Sequence, residues 1–109
     1  REKVVKLNEM SLKGVTIPSF HLQVSMLRGS DPLECIDNTL TLRTRADLEQ
    51  VIQYLATQRV TVVELEPEGE EDTDAYVLLC ETLIERSRAL VVVDTPTTLL
   101  YIIPPVASA

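Results

Sequence analysis

The sequence predicts an α+β fold, a distorted mixed β-barrel of about six to seven strands framed by two or more helices. Three features carry this expectation. Residues 20–26 alternate apolar and polar side chains, the period of a strand with one buried face. Leu48, Val51, Ile52 and Leu55 repeat at helical spacing, and Tyr76, Leu79, Cys80, Leu83 and Ile84 do so again. The elements run as three strands, a helix, a strand, a helix and two strands, an order that lets a mixed sheet curl with its helices outside. A length of 109 residues supports one core. It is read as a single domain over residues 1–109, with 1–9 as a partly ordered leader and 106–109 as a tail. The start at Arg1 without Met and the end in Val106-Ala107-Ser108-Ala109 read as a segment of a longer protein.

Residues 10–17 are rich in β-tolerant side chains and stop at Pro18, which lacks an amide donor, so the first strand is placed there. Phe20, Leu22, Val24 and Met26 form the buried face of the second, with Ser19, His21, Gln23 and Ser25 opposite. Gly29-Ser30-Asp31-Pro32 has turn chemistry; residues 33–38 read as a loop, and 39–43 resume β character. Thr44 followed three residues later by Asp47 resembles a capping box, which starts the first helix there, its outer face taken by Glu49, Gln50 and Gln53. The β-branched run over 60–65 is the next strand, stopped by Pro67, with Val60, Val62 and Val63 expected to be largely buried.

Glu64, Glu66, Glu68, Glu70, Glu71, Asp72 and Asp74 form an acidic stretch, expected to be mostly solvated, that leads into the second helix. Carboxylates suit the positive end of a helix, so Asp72 or Thr73 is the expected cap, and Arg86 and Arg88 suit the negative end. Residues 90–93 and 99–103 flank the turn-forming Asp94-Thr95-Pro96-Thr97 and should pair as a hairpin, after which Pro104-Pro105 blocks further ladder bonding.

Composition excludes several function classes. Seventeen acidic against ten basic residues give a net charge of −7, which repels phosphate backbones and anionic lipid, so neither nucleic acid nor a membrane is an expected partner. A run of about 18 apolar residues, as a membrane span requires, is absent. Cys35 and Cys80 stand apart from each other and from the sole histidine, and read as buried, reduced, inert thiols rather than zinc ligands or a bridge. His21 alternates with apolar neighbours on a strand and reads as a surface or rim residue, not a catalytic base. Gly14, Gly29 and Gly69 lie too far apart to cradle a nucleotide phosphate, and the acidic stretch lacks the D-x-D-x-D-G order of a calcium loop. No catalytic residue, cofactor, metal or small-molecule substrate is expected.

Thr97-Thr98-Leu99-Leu100-Tyr101-Ile102-Ile103-Pro104-Pro105 resembles the last strand of SPOC domains, which closes on a Pro-Pro or Pro-Leu ending. Leu12-Lys13-Gly14 is similar to the family's opening Trp-x-Gly strand, residues 42–55 to its strand, arginine and helix segment, and residues 74–93 to its long helix with a basic end before a short strand. The resemblance covers most of the chain. It implies a distorted β-barrel framed by helices, no enzymatic activity, and a nuclear setting in transcription, RNA processing or silencing, where such domains bind partner polypeptides. In family members a basic patch holds phosphoserine peptides such as the RNA polymerase II C-terminal repeat. Arg45 takes the place of the patch's first arginine and Arg86 that of the basic residue ending the helix, with Arg43 and Arg88 beside them. Leu12 stands where the family has Trp, and Thr82 where it has the patch tyrosine.

The expected function is therefore a non-enzymatic scaffold domain of a nuclear transcription-regulation or chromatin-silencing complex, holding a partner segment through apolar contacts or strand addition. The alternative is a phosphoserine-peptide reader that uses Arg45 and Arg86, assisted by Arg43 or Arg88. Loss of the patch tyrosine and the acidic field both rank the reader second.

Overall fold

The computed structural model describes residues 2–105. Nine strands and two helices follow one another: β1 (Glu2–Leu7), β2 (Met10–Leu12), β3 (Val15–Ile17), β4 (Phe20–Arg28), β5 (Thr39–Leu40), β6 (Thr44–Asp47), α1 (Leu48–Ala56), β7 (Val62–Pro67), α2 (Thr73–Arg86), β8 (Arg88–Asp94) and β9 (Leu99–Ile102). Single 3₁₀ turns occupy Leu33–Cys35 and Glu70–Asp72. The strands form a four-stranded sheet in the order β5-β1-β4-β7, a two-stranded β2-β3 ribbon and a three-stranded sheet in the order β6-β8-β9. Among the described residues no ladder joins β7 to β9 or closes the sheets into a ring.

All three sheets feed one core. Val5 and Leu7 of β1, Ile17 of β3, Leu22 and Val24 of β4, Leu83 of α2 and Leu90 of β8 are almost wholly buried in a single cluster. Leu48 and Val51 of α1 form a second, smaller cluster with Ala89. Ala89 and Leu90 are adjacent on β8 and so face opposite ways. The three-stranded sheet is thus covered by α1 on one face and by the main core with α2 on the other.

Several elements differ from the sequence expectation. Glu2–Leu7 is not a leader but a strand inside the largest sheet, antiparallel to β4 and parallel to β5. Lys3 Nζ ties it down further by donating to the Leu33 and Ile36 carbonyls. Residues 10–17 are two short strands around Lys13-Gly14, both at positive φ, a turn that glycine permits and that matches strand twist. Only Thr39–Leu40 of residues 39–43 is strand. Thr44–Asp47 is β6, held antiparallel to β8, and α1 starts after it, with Asp47 as the cap accepting the Gln50 amide at 3.1 Å. These splits raise the strand number above the six to seven expected. The predicted tail at 106–109 lies outside the described residues.

Burial departs from expectation here as well: Val62 and Val63 are half-buried, because β7 is an edge strand with β4 on one side only, and Val60, just before β7, is half-buried too. Ile52 and Ile84 are exposed although they belong to the helical stripes. Asp72 is the one member of the acidic stretch that is buried. Its carboxylate accepts the Gly69 amide at 3.0 Å and the His21 amide at 2.9 Å, fastening the start of α2 to β4. The hairpin of β8 and β9 and the alternation of β4 stand as expected.

Candidate functional site

Two surfaces emerge from this arrangement. The first is a cleft of about 760 Å³ between the edge strands β7 and β9, floored by Leu79 and Cys80 of α2. Side chains there are mostly apolar. Leu27, Leu99 and Ile103, which are 65%, 45% and 42% exposed, all line it. Tyr76 lies at its β7 side, its hydroxyl donating to the Leu65 carbonyl at 3.0 Å. Burial pushes that hydroxyl's pKa up, and Cys80, Glu66 and Glu64 add to the rise. Burial also raises the Cys80 thiol, with Glu81 adding and the Tyr76 hydrogen bond opposing.

Both cysteines are free and both line this cleft. Cys80 is half-buried, while Cys35 is exposed rather than buried as expected, because the Leu33–Cys35 turn buries Leu33 and leaves its last residue outside. His21 is 52% exposed on β4, with Nδ1 3.9 Å from Asp72 Oδ1, and does not line the cleft.

The second surface is basic. Its local cause is the end of α2, where Ser87 adopts a left-handed conformation and accepts the Leu48 amide at 3.0 Å. That turn reverses the chain between Arg86 and Arg88 next to the start of α1. Arg45 sits opposite Leu90 in the β6–β8 ladder, which makes it a diagonal neighbour of Arg88 on the same face. Arg45, Arg86 and Arg88 border one shallow depression together with Lys13 from the β2–β3 turn, above Leu12 and Thr82. Its volume of about 10 Å³ admits one water-sized probe, so an anion would rest on it rather than enter it. Among the described residues none of these four cations forms an ion pair. Arg43 is exposed, does not border the depression, and its amide is used by the Val91 carbonyl at 2.8 Å.

Sequence reasoning named three of the four cations and missed Lys13, whose signal was Gly14 beside it: a glycine within a strand pattern marks a turn that projects its neighbour. The cleft was also missed. Leu27 breaks the alternation of β4 by placing a leucine on its polar face, and residues 99–103 are apolar on both faces, which an outermost strand does not require.

Glu68, Glu71 and Asp72 bring carboxylate oxygens within 4.8 Å of one another, but Asp72 is already engaged by two backbone amides. Among the described residues no helix is long and apolar enough to cross a membrane.

Comparison with known proteins identifies the fold and the family. No curated protein sequence matches the chain. Among solved structures, the crystal structure of the SPOC domain of human PHD-finger protein 3 superposes with a TM-score of 0.72 at 22% identity, covering 90% of this chain and 70% of that one. At that identity the likeness establishes the fold. The SPOC domain family model matches residues 10–109. With nearly the whole chain matched in sequence and the architecture matched in space, this protein belongs to the SPOC domain family, a family of protein-interaction domains.

Proposed function

We propose that this chain is a non-enzymatic docking unit of a nuclear transcription-regulation or chromatin-silencing assembly, and that it holds a partner polypeptide segment in the cleft between β7 and β9. The carrying observation is that three of the eight exposed large apolar side chains among the described residues, Leu27, Leu99 and Ile103, gather in that one cleft beside two strand edges. Apolar surface left in water costs roughly 25 cal/mol per Å², so covering a contiguous patch is a standing driving force for association. We read the three sheets around their shared core as a distorted barrel left open at this cleft. The nuclear setting rests on family membership, and the net charge of −7 argues against nucleic acid or anionic membrane as the partner.

The test compares capture of partners from nuclear extract by the wild-type domain, by Leu99→Glu/Ile103→Glu, and by Arg45→Ala/Arg86→Ala. Both altered leucine and isoleucine positions are substantially exposed, so the fold tolerates the change. Loss of the same partners in the cleft variant alone is expected. Retention of every partner by the cleft variant would sink the reading.

A second reading is favoured by the convergence of Arg45, Arg86, Arg88 and Lys13 on one face of an acidic protein. Guanidiniums in this arrangement suit a phosphoserine, gripped bidentately from above the depression. Phosphorylated and unphosphorylated serine peptides, titrated against wild type and Arg45→Ala/Arg86→Ala at two salt concentrations, decide it: equal or absent binding of both peptides eliminates the reader.

A further inference from the structure

The polar groups of the β7 edge specify more than an apolar occupant. Glu68 donates its amide to the carbonyl of His21, the residue directly opposite it in the β4–β7 register. Hydrogen-bonding direction alternates along an antiparallel strand, so Glu66 and Glu64 also turn their backbone groups toward β4, while Val63 and Leu65 turn theirs outward. Pro67 belongs to the outward set, where its missing amide costs nothing. The Leu65 carbonyl is engaged by Tyr76 Oη. That leaves the Val63 amide, the Val63 carbonyl and the Leu65 amide without a partner among the described residues, in a row facing the cleft.

Side chains divide the same way. Val63 and Leu65 are half-buried and pack against the core, whereas Glu64 and Glu66 are exposed on the opposite face of the strand. A strand laid against this edge alternates likewise. Its inward residues meet Val63, Leu65, Leu79 and Leu99; its outward residues stand beside two carboxylates on a chain of net charge −7. Among the described residues the single cation lining the cleft, Arg59, lies before β7 begins.

Resting on the docking reading of the cleft, we propose that the partner segment enters as an added strand on the outer edge of β7, bonded to Val63 and Leu65, and that it alternates apolar with basic residues. Apolar side chains fill the cleft, and lysines or arginines pair across the strand with Glu64 and Glu66. Opposite charges facing each other across a ladder stabilise and like charges destabilise, which sets the ligand's sign.

The test uses a short, end-capped peptide in which valine and leucine alternate with lysine, and its counterpart with glutamate for lysine. Wild type should bind the lysine peptide about tenfold or more tightly than the glutamate one, from two cross-strand pairs that change sign. Glu64→Lys/Glu66→Lys, altered only at exposed outward positions, should reverse that preference with an unchanged circular dichroism spectrum. Methylating the peptide amides that face β7 should abolish binding, and methylating the alternate amides should leave it intact. Equal binding of the two peptides, a preference unmoved by the charge reversal, or binding indifferent to both methylation patterns overturns the proposal. Absence of binding by either peptide overturns it too. Should Leu99→Glu/Ile103→Glu still lose its nuclear partners in any of those cases, cleft docking stands and the strand-addition chemistry alone has failed.

Discussion

Replacing Asp72 by alanine should loosen the whole domain although the residue belongs to an acidic, mostly solvated stretch. Asp72 is only 4% exposed, and its two oxygens accept separate backbone amides, from His21 at 2.9 Å and Gly69 at 3.0 Å. The His21 amide has no other use: in the β4–β7 register its residue accepts from Glu68 but donates to the carboxylate. Truncation leaves two part-buried donors without partners, at about 1–2 kcal/mol each for incompletely buried groups, so the loss is about 2–4 kcal/mol. Against a typical stability of 5–15 kcal/mol that is a large fraction, and for a domain of this size it lowers the melting temperature by roughly 9–17 °C. Asparagine keeps one acceptor oxygen but turns an NH₂ toward the other amide, so Asp72→Asn should fall between. Urea titration followed by far-UV circular dichroism supplies the free energies, and amide exchange at His21 and Gly69 locates the loss. An alanine variant within about 0.5 kcal/mol of wild type, the scatter of ordinary surface substitutions, would refute the view that this carboxylate fastens α2 to β4.

Other expectations follow from single residues. Gly29 has φ +100°, and a Cβ built on it would lie 2.9 Å from Thr61 Cα, so Gly29→Ala should cost roughly 2–4 kcal/mol in a thermal melt; Gly14→Ala, at φ +85° but with open space around it, should cost less, and equal losses would contradict the close approach to Thr61. Because burial raises the Cys80 thiol while Cys35 is exposed, iodoacetamide followed by mass spectrometry should modify Cys35 first and Cys80 slowly, with the Cys80 rate climbing as pH rises into the alkaline range and its thiolate forms. Equal rates at neutral pH would count against the floor position of Cys80. Lys3→Met removes the donor that serves the Leu33 and Ile36 carbonyls and should destabilise by about 1–3 kcal/mol in urea, whereas no change would show that β1 is held by its ladder alone.

What was legible in the sequence was what local period dictates. The alternation of Phe20 to Met26 fixes which face of β4 is buried, and the run 90–93 with 99–103 around a Pro-containing turn fixes the last hairpin. Glu2–Leu7 was missed because Val5 and Leu7 supply only one alternation amid charged neighbours; the strand exists by pairing with β4 and β5, partners far along the chain. β6 has no apolar pattern at all, since Thr44, Arg45 and Asp47 are placed by the β8 ladder rather than by their own propensity. The basic patch was half-legible. Arg45 and Arg86 came from family positions, but the approach of Arg88 and Lys13 depends on the reversal at Ser87 and the turn at Gly14. The cleft was the least legible feature, because it is the space between two strand edges that belong to different sheets, and no stretch of sequence encodes a space.

A partner polypeptide that lies between β7 and β9 must perturb the amides that line that cleft. The most direct measurement is amide chemical-shift mapping of the ¹⁵N-labelled domain while the segment responsible for nuclear capture is titrated in. Largest shifts at Val63, Leu65 and Cys80 and through Leu99 to Ile103, with Lys13, Arg45, Arg86 and Arg88 little moved, are the predicted result. Shifts confined to those four cations, with the cleft unmoved, would contradict it.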